Sequence, residues 1–130
     1  MQLNVTTDYA IRIVLYLAVK QRVVNSGEIA KAMGIPPTYI MKITRKLKEA
    51  ELLREKRGVD GGFVLNREPE RLTLLEIVGA LEKTVNINRC LEEDEYCSRN
   101  ATAFCTVRRL LVRLQAELAE GLNVKISELI

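Results

Sequence analysis

The 130-residue chain contains no histidine. That absence removes the commonest general base, and the sequence also lacks a phosphate-cradling glycine loop and any nucleophile-base pair in a catalytic motif. An enzyme is therefore not expected. Zinc is disfavoured for a related reason: without histidine a zinc site needs close pairs of cysteines, and there are none. Long uncharged apolar runs are missing too. In MQLNVTTDYAIRIVLYLAVKQ the residues Asp8, Arg12 and Lys20 interrupt or flank the apolar stretch, and no small-residue cleavage site follows. A cytoplasmic protein with no membrane association is the expectation. There is no internal repeat, low-complexity tract or long linker, so the length and the 48% hydrophobic content fit one compact domain, or one domain plus an oligomerisation element. Cysteine is scarce and odd in number. Three thiols cannot close into a full disulfide set within one chain, and a cytoplasmic compartment keeps them reduced.

What is present is unevenly placed. The net charge is only +3, but residues 1–72 carry 13 Lys/Arg against 8 Asp/Glu, whereas residues 73–130 carry 7 against 9. A basic first part and a mildly acidic second part point to an anionic partner for the first part alone.

Helical periodicity dominates. From Thr7 to about Gln21, residues Ala10, Ile13, Val14, Leu17 and Ala18 recur on one face, with Thr6 or Thr7 as the expected N-cap. NSGEIAKAMGI predicts a short second helix, capped by Asn25 or Ser26 and stopped by Gly34. Pro36 and Pro37 then open a third helix through TYIMKITRKLKEAEL, with Ile40, Ile43, Leu47 and Ala50 on its buried stripe. Two helices joined by a tight glycine-containing turn form a helix-turn-helix pattern. The following LLREKRGVDGGFVLN holds two β-compatible runs around an Asp-Gly step, a hairpin signal because primed turns need residues with positive φ. A helix-turn-helix followed by a basic hairpin is a winged helix, with Arg54, Lys56 and Arg57 beside the hairpin tip.

LTLLEIVGALEK predicts a fourth helix capped by Thr73, with Leu74, Ile77, Val78 and Leu81 on one face. From about Thr102 to Leu122 a long helix presents Val107, Leu111, Leu114 and Leu118 as a seam suited to a second copy. The expected architecture is mostly α with a small β-hairpin wing. It comprises a winged helix-turn-helix DNA-binding domain at 1–83, a cysteine-containing loop at 84–105, and a dimerisation helix with a C-terminal tail at 102–130.

A recognition helix reads base edges with its first turns and meets phosphates further along. On the third helix this assigns base contacts to Thr38, Tyr39, Met41 and Lys42, and backbone contacts to Arg45, Lys46 and Lys48, with Lys56 and Arg57 of the wing reaching phosphate or the minor groove. The partner would be a double-stranded DNA operator.

All three cysteines, Cys90, Cys97 and Cys105, fall within RCLEEDEYCSRNATAFCTVRR. Thiolates so clustered suit iron-sulfur clusters, zinc or copper(I), and such sites usually take a fourth ligand. Cys105 could instead be a small core residue, flanked by Phe104 and Val107. The acidic EEDE run beside Cys97 is expected to raise thiol pKa values, which argues against a reactive free thiolate.

TTDYAIRIVLYLA, GIPPTYIMKITRKLKEAELL, RGVDGGFVL and the three-cysteine loop, in this order along essentially the whole chain, resemble the winged-helix Rrf family of bacterial regulators, whose members include IscR, NsrR, RirA and CymR. The resemblance implies a homodimeric transcription factor, a repressor of a partly palindromic operator, with Arg57 as the wing arginine that enters the minor groove. It also implies that Cys90, Cys97 and Cys105 ligate a 4Fe-4S or 2Fe-2S cluster as a sensor of iron-sulfur status, nitric oxide or redox state. Where IscR has a ligating histidine this chain has Arg108, and the resemblance to NsrR transfers the fourth-ligand role to Asp8 of the partner subunit. The alternative within the family is a cluster-free thiol or cysteine-metabolism regulator of the CymR type. A dimerisation adaptor that does not bind DNA is the other class of function the residues allow.

Overall fold

The computed structural model describes residues 1–130. Helix α1 spans Val5–Lys20, α2 Ser26–Met33, α3 Pro37–Glu49, α4 Leu74–Leu81 and α5 Thr106–Leu122, and strands β1 (Leu53–Lys56) and β2 (Gly62–Leu65) form one antiparallel hairpin. Short 3-10 turns lie at Pro69–Arg71, Arg89–Leu91 and Ile126–Leu129.

The start of α1 differs from expectation. Its cap is Asn4, whose side chain accepts from the Thr6 N–H. Thr7 lies fully buried within the helix, and its hydroxyl donates to Glu82 at 2.7 Å, which satisfies a polar group that would otherwise be costly to bury. Helix α2 is capped by Asn25 and ends at Gly34, whose φ of 63° is the left-handed conformation that glycine adopts without strain. Helix α3 opens on Pro37 and buries Ile40, Ile43, Thr44 and Leu47. Ala50 is exposed at its C-cap, and Thr44 takes a place on the buried face because its hydroxyl donates back to the Ile40 carbonyl at 2.8 Å. Thr73 caps α4 through a reciprocal capping box with Glu76.

These elements enclose one core that includes Ile13, Leu17, Ile29, Ile40, Ile43, Leu47, Phe63 and Ile77. The hairpin is fastened to it by Phe63, which is buried and exchanges two backbone hydrogen bonds with Val24 at 2.9 and 2.8 Å. The core also takes in Ile126, four residues past α5 and fully buried. Residues 124–126 pair with the segment before α4: Leu74 N–H donates to the Val124 carbonyl, and Ile126 N–H to that of Leu72 at 2.8 Å. Residues 124–126 are therefore a strap that returns from α5 to the winged domain.

Helix α5 begins four residues later than its periodicity implied. Thr102–Phe104 form a turn, and the Cys105 sulfur accepts the Arg108 N–H at 3.4 Å as the N-cap. No α5 residue is buried. Its half-buried face is Arg108, Leu111, Gln115, Ala119 and Leu122, so Leu111 turns toward its own chain. Gln115 holds α5 to the preceding segment, accepting from the Ile87 N–H at 2.7 Å and donating to the Val85 carbonyl at 2.9 Å. The exposed apolar stripe runs instead through Val107, Leu110, Leu114 and Leu118.

Candidate functional site

Two features stand out: the open face of α3 with its wing, and the cysteine segment against α5. On α3, Thr38, Met41, Lys42 and Arg45 project into solvent, as a recognition surface requires. Lys46 is half-buried. Two of the sequence candidates have other engagements. Tyr39 packs edge-on against Tyr9 of α1, with ring centroids 5.3 Å apart, so its ring buttresses the start of α3. Lys48 pairs with Glu55 of β1 at 2.6 Å and links the helix to the wing. Glu55 is held below the usual carboxylate range by that lysine's hydrogen bond, so the link persists through neutral pH.

Between α3 and the hairpin lies a cleft of about 300 Å³ whose lining includes Ser26, Met41, Lys56, Arg57, Gly61 and Gly62. Lys56 and Arg57 are exposed beside it and make no ion pair. The exposed N-terminus of α2 closes the other side of this cleft, and its free amide donors and positive dipole end add to the cationic character of the face. Along the chain Asn25 and Ser26 are only cap residues; the hairpin's approach places them on the same surface as Arg57. Replacing Arg57 with alanine is expected to weaken DNA binding by about 1–3 kcal/mol and to alter preference at the groove it enters. Salt-titrated binding assays check this, and an unchanged affinity with an unchanged salt slope would remove Arg57 from the interface.

The cysteine segment folds back so that Cys90, Cys97 and Cys105 line a single cavity of about 250 Å³, together with Arg89, Tyr96, Arg108 and Leu111. All three are free thiols and half-buried. Cys90 sits in the 3-10 turn and its sulfur accepts from Asn88 at 3.2 Å. Cys97 sits at a turn whose backbone N–H groups, from Ala101 first and then Arg99, hold its pKa below the ordinary thiol value. This reverses the expectation from the acidic run. Three of the four carboxylates there are engaged elsewhere, Asp94 with Arg89 at 2.7 Å, Glu95 with Arg108 at 2.9 Å and Glu92 with Thr84 at 2.6 Å, and the backbone around Cys97 outweighs them. Arg89 draws the Asp94 carboxyl down to about 2.

Arg108 ties this cavity together. Its side chain also donates to the Cys90 carbonyl at 3.2 Å, so one α5 residue holds both the first cysteine's turn and the acidic run. No three His, Cys, Asp or Glu side chains converge closely enough to grip a single metal ion. The donor set is instead three soft thiols spread around one cavity, which fits a multi-atom iron-sulfur cluster. Asp8 does not line this cavity. It lies in the first turn of α1, half-exposed, and pairs with Arg12 at 2.6 Å; Arg12 in turn donates to the Met33 carbonyl and lies over the Tyr9 ring.

Comparison with known proteins agrees with this architecture. A family model described as Rrf2, iron-dependent transcriptional regulator, matches residues 3–130. The transcriptional regulator NsrR of Shouchella clausii is 30% identical over 96 residues, 72% of this chain and 64% of its own length, so the chain spans under two thirds of that relative. Among solved structures, CymR of B. subtilis, the global cysteine regulator, superposes with a TM-score of 0.80 at 24% identity, covering 99% of this chain and 95% of that one. IscR of T. potens superposes at 0.79 with 19% identity, covering 99% and 85%. At those identities the two structures establish the winged-helix fold.

Proposed function

Because the chain belongs to the Rrf2 family of transcriptional regulators, we propose that it is a homodimeric, iron-sulfur cluster-dependent repressor that responds to iron-sulfur status, nitric oxide or redox state. Its partner as a member of that family is DNA, and it is a regulator rather than an enzyme. The observation that carries the cluster reading is the shared cavity of Cys90, Cys97 and Cys105. These three would hold the cluster through their sulfurs. When bound, such a group supplies a redox-active centre whose properties depend on charge and hydrogen bonds near its sulfurs.

The chain's own residues then account for the switch. The segment from Arg89 to Cys105 follows α4 and ends as the cap of α5, with Arg108 and Gln115 joining α5 to it and to the stretch before it. A change of shape in that segment between ligated and free thiols moves α5. If α5 forms the dimer contact, the spacing of the two α3 helices changes, and operator half-sites must match that spacing. Asp8 of a second copy is the proposed fourth ligand. To serve, its carboxylate must leave Arg12, and for a half-exposed pair four residues apart on a helix that costs on the order of 1 kcal/mol or less.

The deciding experiment is the electronic spectrum of anaerobically purified protein with iron and sulfide analysis. Charge-transfer absorbance with stoichiometric iron and sulfide is expected; colourless protein that still binds DNA would sink the cluster reading. Asp8→Ala is expected to keep the fold, measured by circular dichroism, while the change in DNA affinity on cluster loading falls several-fold. An identical response in the variant would remove Asp8 from the site. A second reading, a cluster-free thiol regulator of the CymR type, is favoured by the free Cys97 thiol, held below the ordinary thiol value by its backbone surroundings, and the colourless outcome would select it.

A further inference from the structure

We propose that residues 93–100 form a lid that carries Cys97 to Cys90 and Cys105, and that Arg89 and Arg108 are the positioning residues that clasp it over the thiol cavity. This rests on the thiol site of the function proposed above and adds how that site is closed and opened.

The three thiols are held in different ways. Cys90 lies in the 3-10 turn Arg89–Leu91, where Arg108 grips its carbonyl at 3.2 Å, and Cys105 caps α5. Both belong to the body of the molecule. Cys97 lies on a stretch with no such footing. That stretch is pinned at one end by Glu92, whose carboxylate accepts from Thr84 at 2.6 Å and from Asn86 at 3.0 Å, and at the other by Ala101, which is buried. Between these pins every residue is exposed except Cys97, which is half-buried. The backbone hydrogen bonds of the stretch, Glu95 N–H to the Glu92 carbonyl and Asn100 N–H to the Cys97 carbonyl, stay within it or reach only its pin. No apolar side chain of its own enters the core.

Two arginines supply the attachment instead. Arg89 donates to both carboxylate oxygens of Asp94, at 2.5 and 2.7 Å, and its guanidinium lies 5.1 Å from the centre of the Tyr96 ring. Arg108 reaches Glu95 at 2.9 Å. Both arginines and Tyr96 line the cavity, so the clasp sits at the thiols themselves. Glu95 has a φ of 49°, the left-handed region that residues with side chains seldom adopt, and release from Arg108 frees it to leave that conformation. A segment held by exposed ion pairs and one ring opens at low cost, because such pairs are weak in water and weaker in salt.

Alkylation of the reduced, cluster-free protein with iodoacetamide, an uncharged probe, tests this when each thiol is followed separately by peptide mass mapping. Asp94→Asn combined with Glu95→Gln is expected to raise the rate at all three cysteines about fivefold at low salt, with unchanged circular dichroism. Glu93→Gln is the control: it removes a charge from the same acidic run but breaks no pair, and it should leave the rates as they are. In the wild type about 0.5 M potassium chloride should bring the rates close to those of the double variant, whose own rates should not respond. Unchanged rates in the double variant, or a rise confined to Cys97, overturn the lid. A wild type indifferent to salt, or a Glu93→Gln protein as fast as the double variant, overturns the clasp. None of these readouts needs a bound cluster, so colourless protein would sink the cluster reading and leave this test in force.

Discussion

Gly62→Ala is expected to lower stability by roughly 2–4 kcal/mol and to abolish tight DNA binding, although it adds a single methyl to a short exposed hairpin. At Gly62 a Cβ would sit 2.2 Å from the Val24 carbonyl oxygen and 2.8 Å from the Asn25 Cα. Both are backbone atoms and cannot swing aside. Relief requires β2 to move away from Val24, which breaks the two Val24–Phe63 hydrogen bonds and pulls Phe63 from the core. The wing that carries Lys56 and Arg57 then loses its fixed angle to α3, so affinity falls with stability. Thermal denaturation followed by circular dichroism should show a melting point lower by on the order of 10 °C. Gly79→Ala is the matching control, because a Cβ on that exposed position of α4 meets nothing and should stabilise by about 1 kcal/mol. Equal melting points for the two variants would contradict the wing attachment.

The second large effect lies at the other end of the chain. Ile126→Ala is expected to cost about 2–5 kcal/mol, the range for truncating a fully buried aliphatic side chain in a core that cannot collapse around the space. A residue five from the C-terminus of a loose tail would cost less than about 0.5 kcal/mol. Urea unfolding of the full-length variant separates these outcomes. Because the strap of residues 124–126 returns from α5 to the segment around Leu72, loosening it also frees the far end of α5 from the DNA-binding domain. On the proposed cluster reading, the Ile126→Ala protein should therefore show a weaker change in DNA affinity on cluster loading, and an undiminished change would mean that the strap takes no part in the switch.

Those two residues mark where reading along the chain stops working. The helix-turn-helix, the hairpin and the cap of α4 were all readable locally, because the period of 3.6, the Asp-Gly step and the Thr73–Glu76 pair act within a few residues. The open face of α3 followed from the same periodicity. Tyr39 and Lys48 did not, since their partners Tyr9 and Glu55 come from other elements. Leu111 was misplaced to the outer seam for the same reason: the α5 stripe is wide enough to serve two faces, and only the packing of Arg108, Leu111 and Gln115 on the preceding loop shows which belongs to the chain itself. Cys97 is a further case, where the nearby acidic letters misled and three backbone N–H groups decided.

Sequence alone thus carried the resemblance to the family in its motifs, and it determined the winged-helix class, the open basic face of α3 and the three candidate thiols, because these rest on residue types at short, regular spacing. The tertiary structure alone decided that all three thiols share one cavity, that Arg108 and Gln115 fasten the cysteine segment and its approach to α5, and that the C-terminus closes the core through Ile126. These depend on contacts between residues far apart in the chain, which arise only when the elements pack and their buried polar groups find partners.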